Sequence, residues 1–156
     1  MFLSAGEPSG DIAGALLVAE LRRRDPAVRV FGTGGPRMRQ AGVAIVADTT
    51  NIGVVGVTEV ARTLPSVAAA YRRIRQHVSG ARPHVAVLIG NDAFNVALAR
   101  WFRRRGVATV AYFPPQVWLW RSLRRPIARS FDAIIASFPD EYTTYASASA
   151  DVEVTF

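Results

Sequence analysis

The residues with the clearest chemical potential lie at the start of the chain, where an apolar run enters a glycine-rich turn at residues 6–11. Gly6 and Gly10 allow the backbone to turn tightly and to approach a ligand closely, because neither carries a Cβ atom. Ser9 is placed to cap the helix that follows, and the free N–H groups behind it predict an anion site. Glu7 adds a carboxylate inside the turn. The alternative is a plain capped helix after an edge strand, because a lone glycine-rich turn is a weak motif.

The elements that position this turn alternate between β and α along the chain. Apolar runs predict strands near residues 1–5, 28–32, 43–46, 85–89, 107–112 and 133–137. The first predicted helix carries apolar Ile12, Leu16 and Leu21, and further helices are predicted near residues 37–41, 58–63, 65–78 and 93–105. We therefore predict an α/β fold, a Rossmann-like three-layer sandwich with a mainly parallel sheet. In such sheets ligands bind outside the carboxyl ends of the strands.

The composition is that of a folded domain. The chain has 156 residues, of which 50% are apolar and 20% charged, so it is long enough to bury one real core. It contains no Cys, which excludes disulfides and thiolate metal sites, and no apolar run reaches the ~20 residues that span a bilayer. The start lacks the pattern of a secretory leader, because its apolar run breaks at Gly6. We predict no metal and no cofactor.

The net charge of +7 comes from arginines that cluster at predicted helix ends. Solvated helix ends explain such clusters, because cations there interact favourably with the helix dipole. The alternative is contact with phosphate, either in a nucleic acid or at an anionic lipid surface. Aromatic residues do not interleave with the arginines as stacking on bases would require, so we predict no nucleic-acid partner.

Five motifs, in order and spread over the chain, resemble the signatures of lipid-A-disaccharide synthases. Residues 5–11 match A-G-E-x-S-G-D, and residues 31–38 are close to F-x-G-x-G-G-P-x-M. Residues 52–60 are similar to V-M-G-x-x-E-V, residues 112–121 resemble H-Y-V-S-P-S-V-W-A-W-R, and residues 138–141 resemble L-P-F-E. Together these motifs are far more specific than any one of them.

The resemblance implies an inverting, two-domain glycosyltransferase of the GT-B type. Its substrates would be UDP-2,3-diacylglucosamine and 2,3-diacylglucosamine 1-phosphate, and its products the β-1,6-linked lipid A disaccharide 1-phosphate and UDP. The motifs match only the first half of the family pattern, so the resemblance implies that residues 1–156 are one Rossmann-like, acceptor-side domain. The C-terminal UDP-binding half, absent from this chain, is then a required partner, and a homodimer is left open.

The resemblance also points to the residues of the site. Glu7 and Asp11 match the first motif and are the catalytic candidates that it offers for taking the proton of the acceptor hydroxyl. The substrate-binding residues that it implies lie in or beside the motifs: Gly6, Ser9, Gly10, Gly34, Gly35, Met38, Gly56, Glu59, Asn95, Trp118, Trp120, Arg121 and Glu141.

The chain departs from the family after its fourth predicted strand. The family pattern I-D-A-P-D-F-N aligns with residues 89–95, which places Gly90 and Ala93 at its two aspartates. Asp92 lies between them and is the third catalytic candidate, although a helix N-cap is an alternative role for it. For Glu59, too, a structural role as a helix cap is an alternative to a role in the site. A divergent binding module without sugar transfer is therefore an alternative to the enzyme, and an unrelated nucleotide-binding domain is weakened by the absence of a P-loop.

Acylated substrates imply a protein that is cytoplasmic and peripheral to the inner membrane. Trp118 and Trp120 flank one position, so in an extended segment both rings face the same side, toward a sugar ring or acyl chains. Ordinary packing of a long loop is the alternative. Arginines follow at positions 121, 124, 125 and 129, where their charge suits an acceptor phosphate or anionic lipid heads. We therefore expect an anionic membrane surface among the partners.

Overall fold

The computed structural model describes residues 1–49, 60–90, 92–116, 121–149 and 151–156, and the side chains of residues 60–63, 92 and 121 lie outside the description. Helices and parallel strands alternate along the chain, which confirms the α/β, Rossmann-like fold class. The described residues form two compact units, Met1–Pro83 and His84–Phe156. The prediction that residues 1–156 are a single domain stays a prediction.

The first unit contains a parallel array of three strands with helices between them. Its elements are β1 (Phe2–Ala5), α1 (Pro8–Arg24), β2 (Phe31–Gly34), α2 (Pro36–Gln40), β3 (Ala44–Asp48) and α3 (Val60–Gly80). The strand order is β3-β2-β1, with Phe2 opposite Phe31 and Phe31 opposite Ala44. The carboxyl ends of the three strands therefore lie at one edge of this array.

β1 and β2 approach each other very closely at Gly32. A Cβ atom at this residue would lie 1.7 Å from the carbonyl oxygen of Leu3 on β1, so only glycine fits. The register against β3 also shifts here, since Gly32 pairs with Ile45 and Thr33 pairs with Ala47. The prediction of this strand at residues 28–32 is therefore placed too early, because the glycines that look like a turn belong to the strand itself.

The helix α1 turns its small residues, not its large apolar ones, toward the core. Its buried residues are Gly10, Asp11, Gly14 and Val18. Ile12 and Leu16, by contrast, are 51% and 67% exposed, although the helix that they were used to predict is present. The two glycines lie four residues apart on one face of the helix, and their missing side chains let α1 pack closely on its neighbours.

The helix α3 is continuous, whereas the sequence predicted one helix near residues 58–63 and a second starting at Pro65. Pro65 lies inside α3. Its fixed φ is compatible with helical backbone, although the missing N–H removes one hydrogen bond. That loss is offset by burial, because Ala70, Ile74 and Val78 lie four residues apart and form a buried stripe.

The second unit contains a parallel array of four strands. Its elements are β4 (Val85–Ile89), α4 (Asp92–Arg103), β5 (Ala108–Tyr112), a 3₁₀ turn (Arg121–Leu123), α5 (Arg124–Ala128), β6 (Ala133–Ile135), α6 (Pro139–Ala146) and β7 (Glu153–Thr155). The strand order is β4-β5-β6-β7. Fully buried side chains form its core, among them Leu88, Leu98, Phe102, Phe131, Ile134 and Tyr145. The short strand β7 was not predicted.

Candidate functional site

The turn between β1 and α1 exposes one carboxylate of the first motif. The helix begins at Pro8, and Glu7 is its N-cap residue, with extended backbone and no hydrogen bond from its side chain to the helix. Ser9 is exposed in the first helical turn, so the prediction that it caps the helix is wrong. Glu7 is half-buried, and its carboxylate contacts no described hydrogen-bond donor or cation. It lies directly after β1, at the edge where parallel sheets bind ligands.

The second carboxylate of the motif, Asp11, is directed into the protein. Its side chain is 2% exposed. Oδ1 accepts hydrogen bonds from the backbone N–H groups of Gly35 at 2.8 Å and Met38 at 3.1 Å, and Oδ2 accepts one from Arg37 at 2.9 Å. Asp11 therefore binds the N-terminal N–H groups of α2, where a negative charge also interacts favourably with the helix dipole.

The turn before α2 is shaped to receive Asp11. A Cβ atom on Gly34 would lie 2.5 Å from Met38 Sδ and 3.4 Å from Asp11 Oδ1, so a side chain here would press on both. Gly35 is the N-cap residue of α2 and has no side chain to provide a cap. The carboxylate of Asp11, which lies 24 residues earlier in the chain, supplies the missing acceptor.

The arginine cluster at the end of α1 has two roles. Arg22 donates from Nη1 to the carbonyl oxygen of Ala41 at 2.6 Å and from Nη2 to that of Gly42 at 2.8 Å, at the C-terminal end of α2. Arg23 and Arg24 instead pair with Glu20, and these hydrogen bonds lower the pKa of Glu20 to about 2. Arg22 thus holds the fold together, while its two neighbours are solvated charges of a helix end.

Buried hydroxyl groups line the ends of the first unit's strands. Thr33 on β2 donates to Ser4 Oγ on β1 at 3.0 Å, and Thr49 after β3 donates to the carbonyl oxygen of Ala5 at 2.6 Å. All three polar side chains are completely buried. They join the strand ends beside the glycine-rich turns, and buried polar groups satisfied in this way fix one arrangement.

The turn after β4 is held by an amide. Gly90 has a φ of 56°, in the left-handed region that glycine adopts without strain. Asn95 on α4 is buried, and its Nδ2 donates to the carbonyl oxygens of Ile89 at 3.1 Å and Gly90 at 2.5 Å. The helix α4 begins at Asp92, which places this residue in the first turn and not at the N-cap that the alternative assigned to it.

The segments after β5 and β6 are fixed by two buried side chains of α6. Glu141 accepts a hydrogen bond from the backbone N–H of Ser137 at 2.8 Å, and the hydroxyl of Tyr145 donates to the carbonyl oxygen of Pro115 at 2.6 Å. Both residues are almost completely inaccessible to solvent. The helix α6 thereby positions the chain that leads into the tryptophan motif.

Replacing Tyr145 with Phe tests this positioning. The change leaves the buried carbonyl oxygen of Pro115 without its donor, so we expect the free energy of unfolding to fall by about 1–2 kcal/mol. Tyr142→Phe on the exposed side of α6 is the matched control, with an expected change of less than about 0.5 kcal/mol. Urea unfolding followed by circular dichroism measures both, and equal losses would contradict the assignment.

Comparison with known proteins connects this geometry to a family. The lipid-A-disaccharide synthetase (LpxB) family matches the chain over residues 1–156. The chain belongs to this family. It is similar to proteins named lipid-A-disaccharide synthase, with 41% identity over 153 residues to that of Geobacter sulfurreducens and 37% over 153 residues to that of Syntrophus aciditrophicus. Each alignment covers 97% of this chain and 40% of the relative, so the chain spans well under half of their length.

In this family member, the first unit brings several predicted site residues together. Asp11, Gly34, Gly35 and Met38 are in mutual contact through hydrogen bonds and packing. Met38 is completely buried, so its side chain contributes to the core beneath the turn. Sequence reasoning did not single out Arg22, because it lies in a run of three arginines that look alike without the structure.

In the second unit, Asn95 and Glu141 both hold backbone segments that follow strands. Gly56, Glu59, Trp118 and Trp120 lie outside the described residues, as do the side chains of Asp92 and Arg121, and the roles predicted for them stay predictions. Among the side chains that are described, no three His, Asp or Glu residues are grouped as metal ligands.

Proposed function

We propose that this chain supplies the acceptor-side part of a lipid-A-disaccharide synthase. The reaction joins UDP-2,3-diacylglucosamine to 2,3-diacylglucosamine 1-phosphate and gives lipid A disaccharide 1-phosphate and UDP. The family match over residues 1–156 carries the proposal. The ordered turns at the carboxyl ends of β1 and β2 support it, because parallel sheets bind their ligands at this edge.

The transfer requires one carboxylate near the acceptor. The acceptor hydroxyl oxygen attacks the anomeric carbon of the UDP-sugar as a base takes the hydroxyl proton, and UDP leaves with the electron pair of the broken C–O bond. Of the three catalytic candidates, Glu7 and Asp92 remain for this role, since the Asp11 oxygens bind three backbone N–H groups. The donor-side contacts come from the remaining part of a full-length family member.

A graft tests the proposal. In it, this chain replaces the matching segment of the Geobacter sulfurreducens relative, with which it shares 41% identity over 153 residues. We expect the purified graft to form disaccharide from the two acylated substrates, as detected by mass spectrometry. The unmodified relative is the positive control, and thermal unfolding checks that the graft is folded.

The same graft distinguishes the alternative, a divergent binding module. Gly90 and Ala93 stand where the family pattern has aspartates, so a second graft carries Gly90→Asp and Ala93→Asp. Asp is among the few side chains that tolerate the left-handed backbone found at residue 90. Activity in the first graft would support the proposal that this chain is part of an active transferase. Activity only in the second would show that this chain has lost the chemistry.

We also propose that the chain attaches to an anionic membrane surface. No helix within the described residues is long and apolar enough to cross a bilayer. Arg125 and Arg129 are exposed and Arg124 is half-exposed on or beside α5, next to the tryptophan motif. Each such charge near an anionic surface contributes about 1 kcal/mol of salt-sensitive binding.

Vesicle co-sedimentation measures this attachment. We expect the chain to bind anionic vesicles at low salt and to be largely released at high salt. Arg124→Ser with Arg125→Ser should weaken the binding, and Trp118→Ser should weaken the part that survives salt. Arg37→Ser with Arg39→Ser removes the same charge from exposed positions on α2 and is the matched control. Equal loss in both arginine pairs would mean that only net charge matters.

A further inference from the structure

We infer that the two carboxylates of the first motif have different roles: Asp11 is a positioning residue, and Glu7 is the carboxylate that is open to a ligand. The inference rests on the proposed function only where it concerns the sugar acceptor. Asp11 and Glu7 are four positions apart in one motif, yet the structure places one inside the protein and the other at its surface.

Asp11 has no remaining capacity to act on a substrate. A carboxylate offers about four lone-pair positions, and backbone N–H groups of Gly35, Arg37 and Met38 occupy three of them. Burial to 2% exposure closes the approach to the fourth. A general base must come within about 2.6–3.2 Å of the proton it takes, and a side chain enclosed in this way cannot.

The hydrogen bonds to Asp11 also prevent the N-terminus of α2 from binding an external anion. The N–H groups that begin this helix are already satisfied by an internal anion, so they are not offered to a phosphate of the substrate. At the other end of α2, Arg22 binds the carbonyl oxygens of Ala41 and Gly42. The helix α1 thus holds both ends of α2, with a negative charge at the N-terminus and a positive charge at the C-terminus. The Gly34–Gly35 turn is fixed as a result.

Glu7 is in the opposite situation. It is the N-cap residue of α1, a position whose side chain commonly accepts a hydrogen bond from the helix, but its carboxylate makes none. It is half-buried, follows the buried Gly6 and precedes Pro8, whose ring restricts the backbone. A carboxylate that is held by a restricted backbone and has no hydrogen-bond partner among the residues the structure describes is available to a ligand hydroxyl at the carboxyl end of β1.

Two measurements on the chain itself test these roles without activity. Labelling of carboxylates with a carbodiimide and an amine, followed by peptide mass spectrometry, should modify Glu7 readily and leave Asp11 unmodified. In Asp11→Asn, amide hydrogen exchange at Gly35, Arg37 or Met38 should accelerate by about tenfold or more, the effect of losing one such hydrogen bond. Glu7→Gln should leave that exchange unchanged. Equal labelling of both carboxylates, or unchanged exchange in Asp11→Asn, would overturn the inference.

In the graft with the Geobacter sulfurreducens relative, the pH–rate profile provides a third test, because a purely structural loss would not change its shape. Glu7→Gln should lower kcat with little change in KM and remove the acidic limb of the pH–rate profile. Asp11→Asn should lower activity and keep the shape of that profile. The reverse pattern would overturn the inference. An inactive graft would count against the proposed function alone, because the labelling and exchange results would still decide the roles of the two carboxylates.

Discussion

Gly32→Ala is expected to prevent the chain from folding. The new methyl carbon would lie 1.7 Å from the Leu3 carbonyl oxygen, and backbone atoms of an adjacent strand cannot move aside as a flexible side chain can. Relief requires separation of β1 from β2, which also breaks the hydrogen bond between Thr33 and Ser4. The expected loss is about 4 kcal/mol or more, comparable with the whole stability of a typical domain, about 5–15 kcal/mol.

Gly80→Ala is the matched control for this substitution. Gly80 is the last residue of α3, and a Cβ atom there would have no neighbour within 4 Å. Alanine should be neutral or stabilise the protein by up to about 1 kcal/mol, because it restricts the unfolded chain and favours helix. Circular dichroism and urea unfolding compare the two variants. A folded Gly32→Ala protein with ordinary stability would refute the close strand contact.

Asp11→Ala is the second substitution with a large expected effect. It removes the acceptor for three backbone N–H groups, of which those of Gly35 and Met38 are buried. Each buried donor left without a partner costs about 1–3 kcal/mol, so we expect the free energy of unfolding to fall by about 3 kcal/mol or more. The stability of the region around α2 should fall first, which hydrogen exchange would detect.

Asp25→Ala provides the comparison. Asp25 also accepts a hydrogen bond from a backbone N–H, that of Ala27 at 2.9 Å, but this contact is exposed to solvent. Water replaces the lost acceptor there, so the expected loss is less than about 1 kcal/mol. Similar losses in Asp11→Ala and Asp25→Ala would contradict the conclusion that the contacts of Asp11 are buried and that of Asp25 is exposed.

The predicted bounds of helices and strands were most accurate where a single local sequence pattern determined the element. The strand at residues 85–89 was placed correctly because a continuous apolar run indicates a strand buried on both faces. β2 was displaced because Gly32 and Gly34 favour a turn in any local analysis, and only the contact with Leu3 explains why a strand requires glycine. The prediction split α3 into two helices because proline disfavours the interior of a helix. It did not take into account the buried stripe of Ala70, Ile74 and Val78, which stabilises the helix after Pro65.

The sequence predicted which turns form the site, but it did not predict the separate roles of the residues in them. Motif spacing placed Glu7 and Asp11 in one turn, and it gave both the same function. The contact that separates them joins Asp11 to backbone groups 24–27 residues away, and no local pattern records it. Arg22 shows the same limit, because its partners lie 19 and 20 residues away while those of Arg23 and Arg24 are local.

Calorimetry on residues 1–156 tests the central claim most directly, namely that this chain is the acceptor side of the transferase. The chain is titrated with 2,3-diacylglucosamine 1-phosphate in detergent micelles and, separately, with UDP, with empty micelles as the blank. We predict saturable binding of the acceptor, binding of UDP weaker than about 1 mM, and no sugar transfer by the chain alone. Tight binding of UDP without binding of the acceptor would contradict the account, because it would place the donor site in this chain.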